Sequence, residues 1–235
     1  MILSEVDYYV LDYMLILIPF ILAIIAQKMV DNAYNKGKMV NVYSRVNAND
    51  MARNMLLSNG ISDVEVKMCR GHLTDHYDPR NKTLYLSDGV YDGYDASAIA
   101  IAAHEVGHAI QHAKGYKMLK LRTSMVGITN FASSASWVLI FIGLLFGALD
   151  LFLVGVILFG VVALFQLVTL PVELNASRRA YSYLTEYNIL VDSEEKRRAK
   201  SVLRCAAFTY VVALLTSLAQ ILRYLLILAS RRDRD

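Results

Sequence analysis

Three residues near the middle of the chain have the spacing of a catalytic metal site. His104, Glu105 and His108 form the pattern H-E-x-x-H within AAHEVGHAIQH. Residues four apart on a helix point the same way, so two imidazole rings can reach one metal ion. Glu105 lies beside the first histidine, where its carboxylate can take a proton from a water at the metal. Zinc is the expected ion, because nitrogen and carboxylate ligands with one position left for water make a catalytic zinc site.

A catalytic zinc site needs a third protein ligand. His112 lies about 12 Å beyond His104 on a continuous helix, which is too far to share an ion bound at ~2 Å. Glu173 is the first carboxylate after the third apolar segment, where the chain is expected to return to the membrane face of His104. It either binds the metal or is an interfacial carboxylate paired with a neighbouring arginine. Ser177 lies one turn further on the same helical face.

Short elements around the motif must position these residues. The sequence predicts a helix from Asn49 to Gly60, strands over 64–69 and 83–86, and the helix of the motif itself over 95–114, ended by Gly115. The residues between the two strands have the chemistry of a turn. Together these elements predict a small α+β domain. The second strand precedes the motif helix, and we expect it to accept an extended substrate by strand addition.

The composition places this domain on a membrane. Hydrophobic residues make up 56% of the 235 residues and charged residues only 19%, against about 45–50% and about 25% in soluble domains. This balance, a net charge of +3 and two cysteines exclude a disordered chain, a basic nucleic-acid-binding protein and a disulfide scaffold. Four apolar segments can cross a bilayer: 13–26 extended back to about Tyr8, 131–149, 151–170 and 206–229.

Basic residues set the expected orientation. They crowd the ends of the apolar segments that adjoin 27–130 and 173–205, so both stretches are expected in the cytoplasm. The predicted organisation is a membrane helix at 8–28, a cytoplasmic domain at 29–125, a membrane hairpin at 131–172, a cytoplasmic helical segment at 173–205 and a membrane helix at 206–230. Arg223 lies inside the last helix, where it either snorkels or packs against other helices. Whether that helix fully crosses stays open.

Three motifs in combination resemble a known family. HEVGHAIQH, the preceding DHYDPRNKTLYLS and the later ELNASRRA are similar to the YugP-type membrane zinc metallopeptidases of bacteria, over nearly the whole chain. The resemblance implies a zincin-like catalytic domain, with one zinc ion held by His104, His108 and Glu173 and with Glu105 as the general base. The HtpX and CAAX prenyl protease group is more distantly similar. It has Asp where Ser177 stands here, and a hydroxyl orients a ligating histidine more weakly than a carboxylate.

The sequence therefore predicts a mostly α membrane protein with about four transmembrane helices and a small cytoplasmic α+β zincin-like metallopeptidase domain. The expected function is zinc-dependent endopeptidase activity at the cytoplasmic face of a bacterial cell membrane, in quality control or processing of membrane proteins. Expected partners are a peptide or membrane-protein substrate and the lipid bilayer, without nucleic acid, and a further membrane partner or adaptor is left open. The candidates for an oxyanion donor are His76, Tyr77, Asn175 and Tyr181.

Two other functions are alternatives to this prediction. An intramembrane site-two-type protease would place H-E-x-x-H in a longer apolar span and a second, Asp-bearing motif in a later span, which this chain lacks. A non-proteolytic membrane scaffold or a metal-binding or transport protein predicts that function survives the loss of Glu105.

Overall fold

The structure is a computed structural model that describes residues 5–232. Its elements, in chain order, are α1 (Glu5–Lys38), α2 (Ala48–Ser58), β1 (Glu65–Cys69), β2 (His76–Asp78), β3 (Thr83–Ser87), α3 (Asp88–Tyr91), α4 (Ala96–Ala113), α5 (Lys117–Phe146), α6 (Leu149–Glu186) and α7 (Ser193–Arg232). The prediction of a mostly helical chain with four long apolar helices and a small sheet is confirmed. The helices α1, α5, α6 and α7 are long and apolar enough to cross a membrane.

The chain divides into two compact units. The hairpin unit contains the chain up to Ala26, Leu121–Leu170 and the chain from Thr209. The sheet unit contains Gln27–Lys120 and Pro171–Phe208. Each unit is therefore built from separate stretches of sequence, and all four long helices, α1, α5, α6 and α7, contribute residues to both.

A three-stranded sheet in the order β1-β3-β2 forms one layer of the sheet unit. β3 pairs in parallel with β1 and antiparallel with β2, and its residues are almost entirely buried. The expectation that 83–86 receives a substrate strand is therefore wrong, because both edges of β3 are already paired. The segment predicted as a turn contains β2, an edge strand of three residues that pairs with β3 alone among the described residues.

The helix α4 has clear signals at both ends. The Asp95 side chain caps its start by accepting hydrogen bonds from the backbone N–H groups of Ser97 and Ala98, both at 3.0 Å. It ends before Gly115, whose φ of +63° suits glycine. Small alanine and glycine residues fill its buried faces, so α2 and the strands can pack closely around it.

The start of α2 differs from the prediction by two residues. Asn47, not Asn49, is the N-cap, because its side chain accepts a hydrogen bond from the backbone N–H of Asp50 at 2.7 Å. The Asn49 side chain instead accepts a hydrogen bond from Arg53 within the helix. Asn47 immediately precedes α2 and Asn49 is the second residue of that helix, so which asparagine is the cap depends on where the helix begins.

Close helix contacts hold the hairpin unit together. A Cβ added to Gly143 would lie 2.6 Å from the backbone nitrogen of Phe152, and one added to Gly155 would lie 2.9 Å from that of Ile140. Small residues allow the backbones of α5 and α6 to approach in this way. Gly147, with φ of +67°, forms the turn between the two helices.

The charged residue inside the last apolar helix has a partner in the same unit. Arg223 Nε donates to Asp12 Oδ1 at 2.7 Å and Nη2 donates to Oδ2 at 3.3 Å. This geometry agrees with packing of Arg223 against another helix, rather than with snorkelling of its side chain. The pair links α1 with α7.

Candidate metal centre

The helix α4 presents His104 and His108 one turn apart. Their ring centroids are 4.8 Å apart and their planes lie nearly perpendicular, at 85°. Each histidine side chain is 13% exposed, so the rings are largely shielded from solvent without being sealed off.

The helix α6 brings Glu173 to the same point. Its Oε2 atom lies 3.2 Å from His104 Nε2 and 3.5 Å from His108 Nε2, and its side chain is only 3% exposed. The candidate ligand atoms of the three residues all lie within 4.8 Å of one another. Ligands at ~2.0–2.2 Å from a tetrahedral zinc ion are themselves about 3.3–3.6 Å apart, so this donor set fits zinc.

A glycine inside the motif allows α6 to come this close. A Cβ added to Gly107 would lie 2.8 Å from the carbonyl oxygen of Ala176 and 3.1 Å from its Cα. The obstacle is helix backbone, which cannot move aside as a flexible side chain can. The two backbones therefore meet between His104 and His108 on α4 and just beyond Glu173 on α6.

The second nitrogen of each histidine ring has its own polar contact. Ser177 Oγ lies 3.1 Å from His104 Nδ1, and Gln111 Oε1 lies 3.0 Å from His108 Nδ1. Both contacts leave the Nε2 atoms facing Glu173. Ser177 was a candidate from the sequence, whereas Gln111 was not. The available signal was its position three residues after His108 on the same helix.

Burial and nearby charges change the acid–base properties of the motif. Burial raises the pKa of Glu105 above its ordinary value, against the opposing effect of His104 and His108 and with contributions from the carboxylates of Glu173 and Asp75. Burial lowers the pKa of His108, but hydrogen bonding to Glu173 and the charge of Glu105 outweigh it, and the net pKa is raised. Glu105 is thus more readily protonated than an exposed glutamate.

Several other sequence candidates have partners elsewhere. His76 Nδ1 donates to the Thr74 carbonyl at 2.8 Å, and its ring stacks on Tyr85. The hydroxyl of Tyr77 lies 2.9 Å from Nδ1 of His112. His112 is outside the group of three possible metal ligands.

The two remaining candidates lie on α6. The ammonium group of Lys200 lies over the Tyr181 ring, 5.3 Å from the ring centroid. Asn175 Oδ1 accepts hydrogen bonds from Gln111 and Arg179. Which residue, if any, stabilises an oxyanion stays a prediction.

Comparison with known proteins agrees with this geometry. A family model described as "Putative neutral zinc metallopeptidase" matches residues 12–229. The chain is 43% identical over 210 residues to "Putative membrane protease YugP" of Bacillus subtilis (strain 168), covering 89% of this chain and 93% of that protein. No solved structure gives a significant match. The match along nearly the whole chain and the convergence of His104, His108 and Glu173 lead to one assignment: the chain belongs to the neutral zinc metallopeptidase family.

Proposed function

We propose that this protein is a membrane-embedded, zinc-dependent metalloendopeptidase that hydrolyses peptide bonds at the cytoplasmic face of a bacterial cell membrane. The observation that carries the proposal is the convergence of His104, His108 and Glu173, whose candidate ligand atoms lie within 4.8 Å of one another. Membership of the family and similarity to a named membrane protease support it. The four apolar helices support attachment to a lipid bilayer.

In this proposal His104, His108 and Glu173 would hold one zinc ion. A bound zinc ion supplies Lewis acidity to the scissile carbonyl and to the attacking water. Glu105 accepts the proton released during attack and passes it to the leaving nitrogen. The carboxyl group of Glu105 must hold the proton between the two steps.

The proposed substrate is a peptide or a membrane protein, and the proposed role is quality control or processing. β2 is an edge strand that contacts α4 through Tyr77 and His112. An extended peptide that pairs with the free edge of β2 would therefore lie next to the helix of the motif. We propose no nucleic-acid partner, in keeping with the small net charge of +3.

Replacement of Glu105 by Gln tests the activity. We expect Glu105→Gln to retain about one zinc ion per chain and to lose hydrolysis of fluorescent casein by about 10²–10⁴-fold. Glu186→Gln, at an exposed position near the end of α6, is the matched control and should keep both properties. Proteins trapped on Glu105→Gln would then identify natural substrates. Wild-type hydrolysis by Glu105→Gln would contradict the role of Glu105, whereas a zinc-loaded wild type that hydrolyses no casein would support a scaffold or transport role.

Metal analysis tests the ligands separately. We expect His104→Ala, His108→Ala and Glu173→Ala each to lose bound zinc in purified protein. His112→Ala should keep it, because that ring contacts Tyr77 outside the cluster. Equal loss of zinc from His112→Ala and Glu173→Ala would contradict the proposed ligand set.

Labelling of single cysteines tests the orientation. After replacement of Cys69 and Cys205 by Ala, a cysteine can be placed at exposed Asp150 in the hairpin or at exposed Arg80 next to β2. In intact cells we expect a membrane-impermeant maleimide to label Asp150→Cys, and to label Arg80→Cys only after permeabilisation. The reverse pattern would place the proposed site on the outer face.

A further inference from the structure

The Gln111 side chain lies between α4 and α6, the two helices that carry the candidate ligands His104, His108 and Glu173. It has no exposed surface. It makes three polar contacts. Its Oε1 atom lies 3.0 Å from His108 Nδ1, and its Nε2 atom donates to the Val172 carbonyl at 2.8 Å and to Asn175 Oδ1 at 3.0 Å. Both amide protons and the amide oxygen are thus used, as a fully buried amide requires.

These partners determine which way the amide of Gln111 points. A backbone carbonyl can only accept a hydrogen bond, so the atom next to the Val172 oxygen must be the amide nitrogen. Asn175 gives the same answer independently. Arg179 Nε can only donate, and it lies 2.8 Å from Asn175 Oδ1, so that atom is an acceptor that Gln111 Nε2 can also reach. The oxygen of Gln111 therefore faces His108.

The orientation of the amide in turn determines the tautomer of His108. An amide oxygen only accepts, so His108 Nδ1 must carry the proton that it donates to Gln111. In the neutral ring this leaves a lone pair on Nε2 that can bind a metal ion, whereas in the protonated ring Nε2–H faces Glu173 Oε2 at 3.5 Å. The contact between Ser177 and His104 does not determine the tautomer of His104, because the Ser177 hydroxyl can donate as well as accept.

The same side chain links α4 to α6 beside the third candidate ligand. The Val172 carbonyl belongs to the residue before Glu173, and Asn175 lies two residues after it. Gln111 therefore contacts α6 on both sides of Glu173 while it holds the His108 ring.

We propose that Gln111 is a positioning residue with two effects. It keeps His108 in the tautomer with a free Nε2, and it fixes the part of α6 around Glu173 against α4, so that the three ligands are in place before the metal binds. This inference rests on the proposed function, since it assumes that His104, His108 and Glu173 bind zinc. Loss of residues that hold metal ligands typically lowers metal affinity by about 10–100-fold.

Two variants separate the two parts of this role. Gln111→Met has a similar length but no polar group, so it removes all three hydrogen bonds. Gln111→Glu keeps an acceptor for His108 Nδ1. We expect zinc affinity, measured by competition with a chelator, to fall by about 10–100-fold in Gln111→Met and by less in Gln111→Glu. Gln27→Met, at an exposed position on α1, is the matched control and should bind zinc as the wild type does.

Nitrogen-15 NMR of histidine-labelled protein gives a readout that does not depend on activity. In the metal-free wild type at a pH where the ring is neutral, we expect His108 to be protonated at Nδ1. Gln111→Met should show a mixture of tautomers, and the His108 signals are identified by their loss in His108→Ala. If Gln111→Met does not fold, the wild-type spectrum and Gln111→Glu still test the inference.

The outcomes distinguish this inference from the proposed function. Absence of zinc binding by the wild type would overturn the proposed function itself. If the wild type binds zinc through the three residues, a neutral His108 ring that is protonated at Nε2 in the metal-free protein would overturn the role of Gln111. Wild-type zinc affinity in folded Gln111→Met would overturn it as well.

Discussion

His104 and His108 belong to one motif, yet the residues that orient them differ in chemistry. Ser177 contacts His104 through a hydroxyl, and Gln111 contacts His108 through an amide. A hydroxyl rotates freely between donor and acceptor roles, whereas a buried amide with three partners does not. The two rings are therefore held to different degrees, and this difference can be measured.

Replacement of Ser177 tests the weaker of the two contacts. We expect Ser177→Ala to lower zinc affinity by about 10-fold, at the lower end of the range for residues that hold metal ligands. Ser177→Asp should bind zinc more tightly than Ser177→Ala, because a carboxylate is a stronger acceptor for an imidazole N–H. Chelator competition measures both, with exposed Ser182→Ala on the same helix as the control. Equal affinity of all four proteins would contradict a role for Ser177 at His104.

Asp75 predicts a pH dependence of stability. Its carboxylate accepts hydrogen bonds from the backbone N–H of Ser87 at 2.7 Å and from Ser87 Oγ at 2.9 Å. Burial raises the pKa of Asp75 in spite of these bonds. The folded protein therefore binds this proton more tightly than the unfolded chain. The free energy of unfolding falls as pH rises from the ordinary Asp pKa of about 3.9 through the raised value.

Asp75→Asn removes the titration and keeps an acceptor and a donor for Ser87. We expect its Tm to gain on that of the wild type as pH rises from about 4 to about 7, as measured by thermal unfolding in detergent. Asp150→Asn, at an exposed position in the hairpin, tests whether the removal of any carboxylate has this effect. A constant difference in Tm between Asp75→Asn and the wild type across this range would contradict the assignment.

At the scale of the elements, the contact between α4 and α6 brings His104, His108 and Glu173 together. At Gly107 a methyl group would lie 2.8 Å from the Ala176 carbonyl oxygen. Replacement by alanine favours a helix by about 0.5–1 kcal/mol, but forcing a group into packed backbone costs about 1–3 kcal/mol. We expect Gly107→Ala to lower the free energy of unfolding and to weaken zinc binding at least 10-fold, because α6 and Glu173 must move away.

Gly160 provides the control for this prediction. It lies within α6, and a Cβ added there would have no neighbouring atom within 4 Å. Gly160→Ala should therefore keep the wild-type zinc affinity and be as stable as the wild type or slightly more stable. Chelator competition and thermal unfolding measure both variants. Wild-type zinc affinity in Gly107→Ala would mean that the close approach of the helices is not required.

Elements with strong local signals could be predicted from the sequence. The helix α4 has Asp95 at its start and Gly115 after its end, and both act as the sequence indicates. β2 was missed because it has three residues and owes its conformation to pairing with β3. The expectation that β3 accepts a substrate strand was wrong, because the order of the strands in the sheet cannot be read from the sequence of one strand. Gln111 was missed for the same reason, since two of its partners lie on α6, 61 and 64 residues later.

For the molecule as a whole, the ion pair between Asp12 and Arg223 joins the first long helix to the last. Removal of one partner leaves a single charge in an apolar setting, which costs more than removal of both. We expect Asp12→Asn and Arg223→Gln each to lower the Tm in lipid nanodiscs, and the double variant to lose less than the sum of the two.

A charge exchange completes this test. Asp12→Arg combined with Arg223→Asp should recover part of the stability lost in the single variants. Arg197→Gln, which removes an exposed pair with Glu194, should change stability by no more than about 0.5 kcal/mol. Strictly additive losses from Asp12→Asn and Arg223→Gln would show that the two residues do not stabilise the protein as a pair.

The two parts of the metal cluster are made at different times during synthesis. Glu173 follows His108 by 65 residues, and the chain between them forms α5 and most of α6. At about 5–20 residues per second, a ribosome needs about 3–13 s to extend the chain from His108 to Glu173. The nascent chain therefore carries both histidines for seconds without their carboxylate partner, and the site is completed only after the hairpin has been translated.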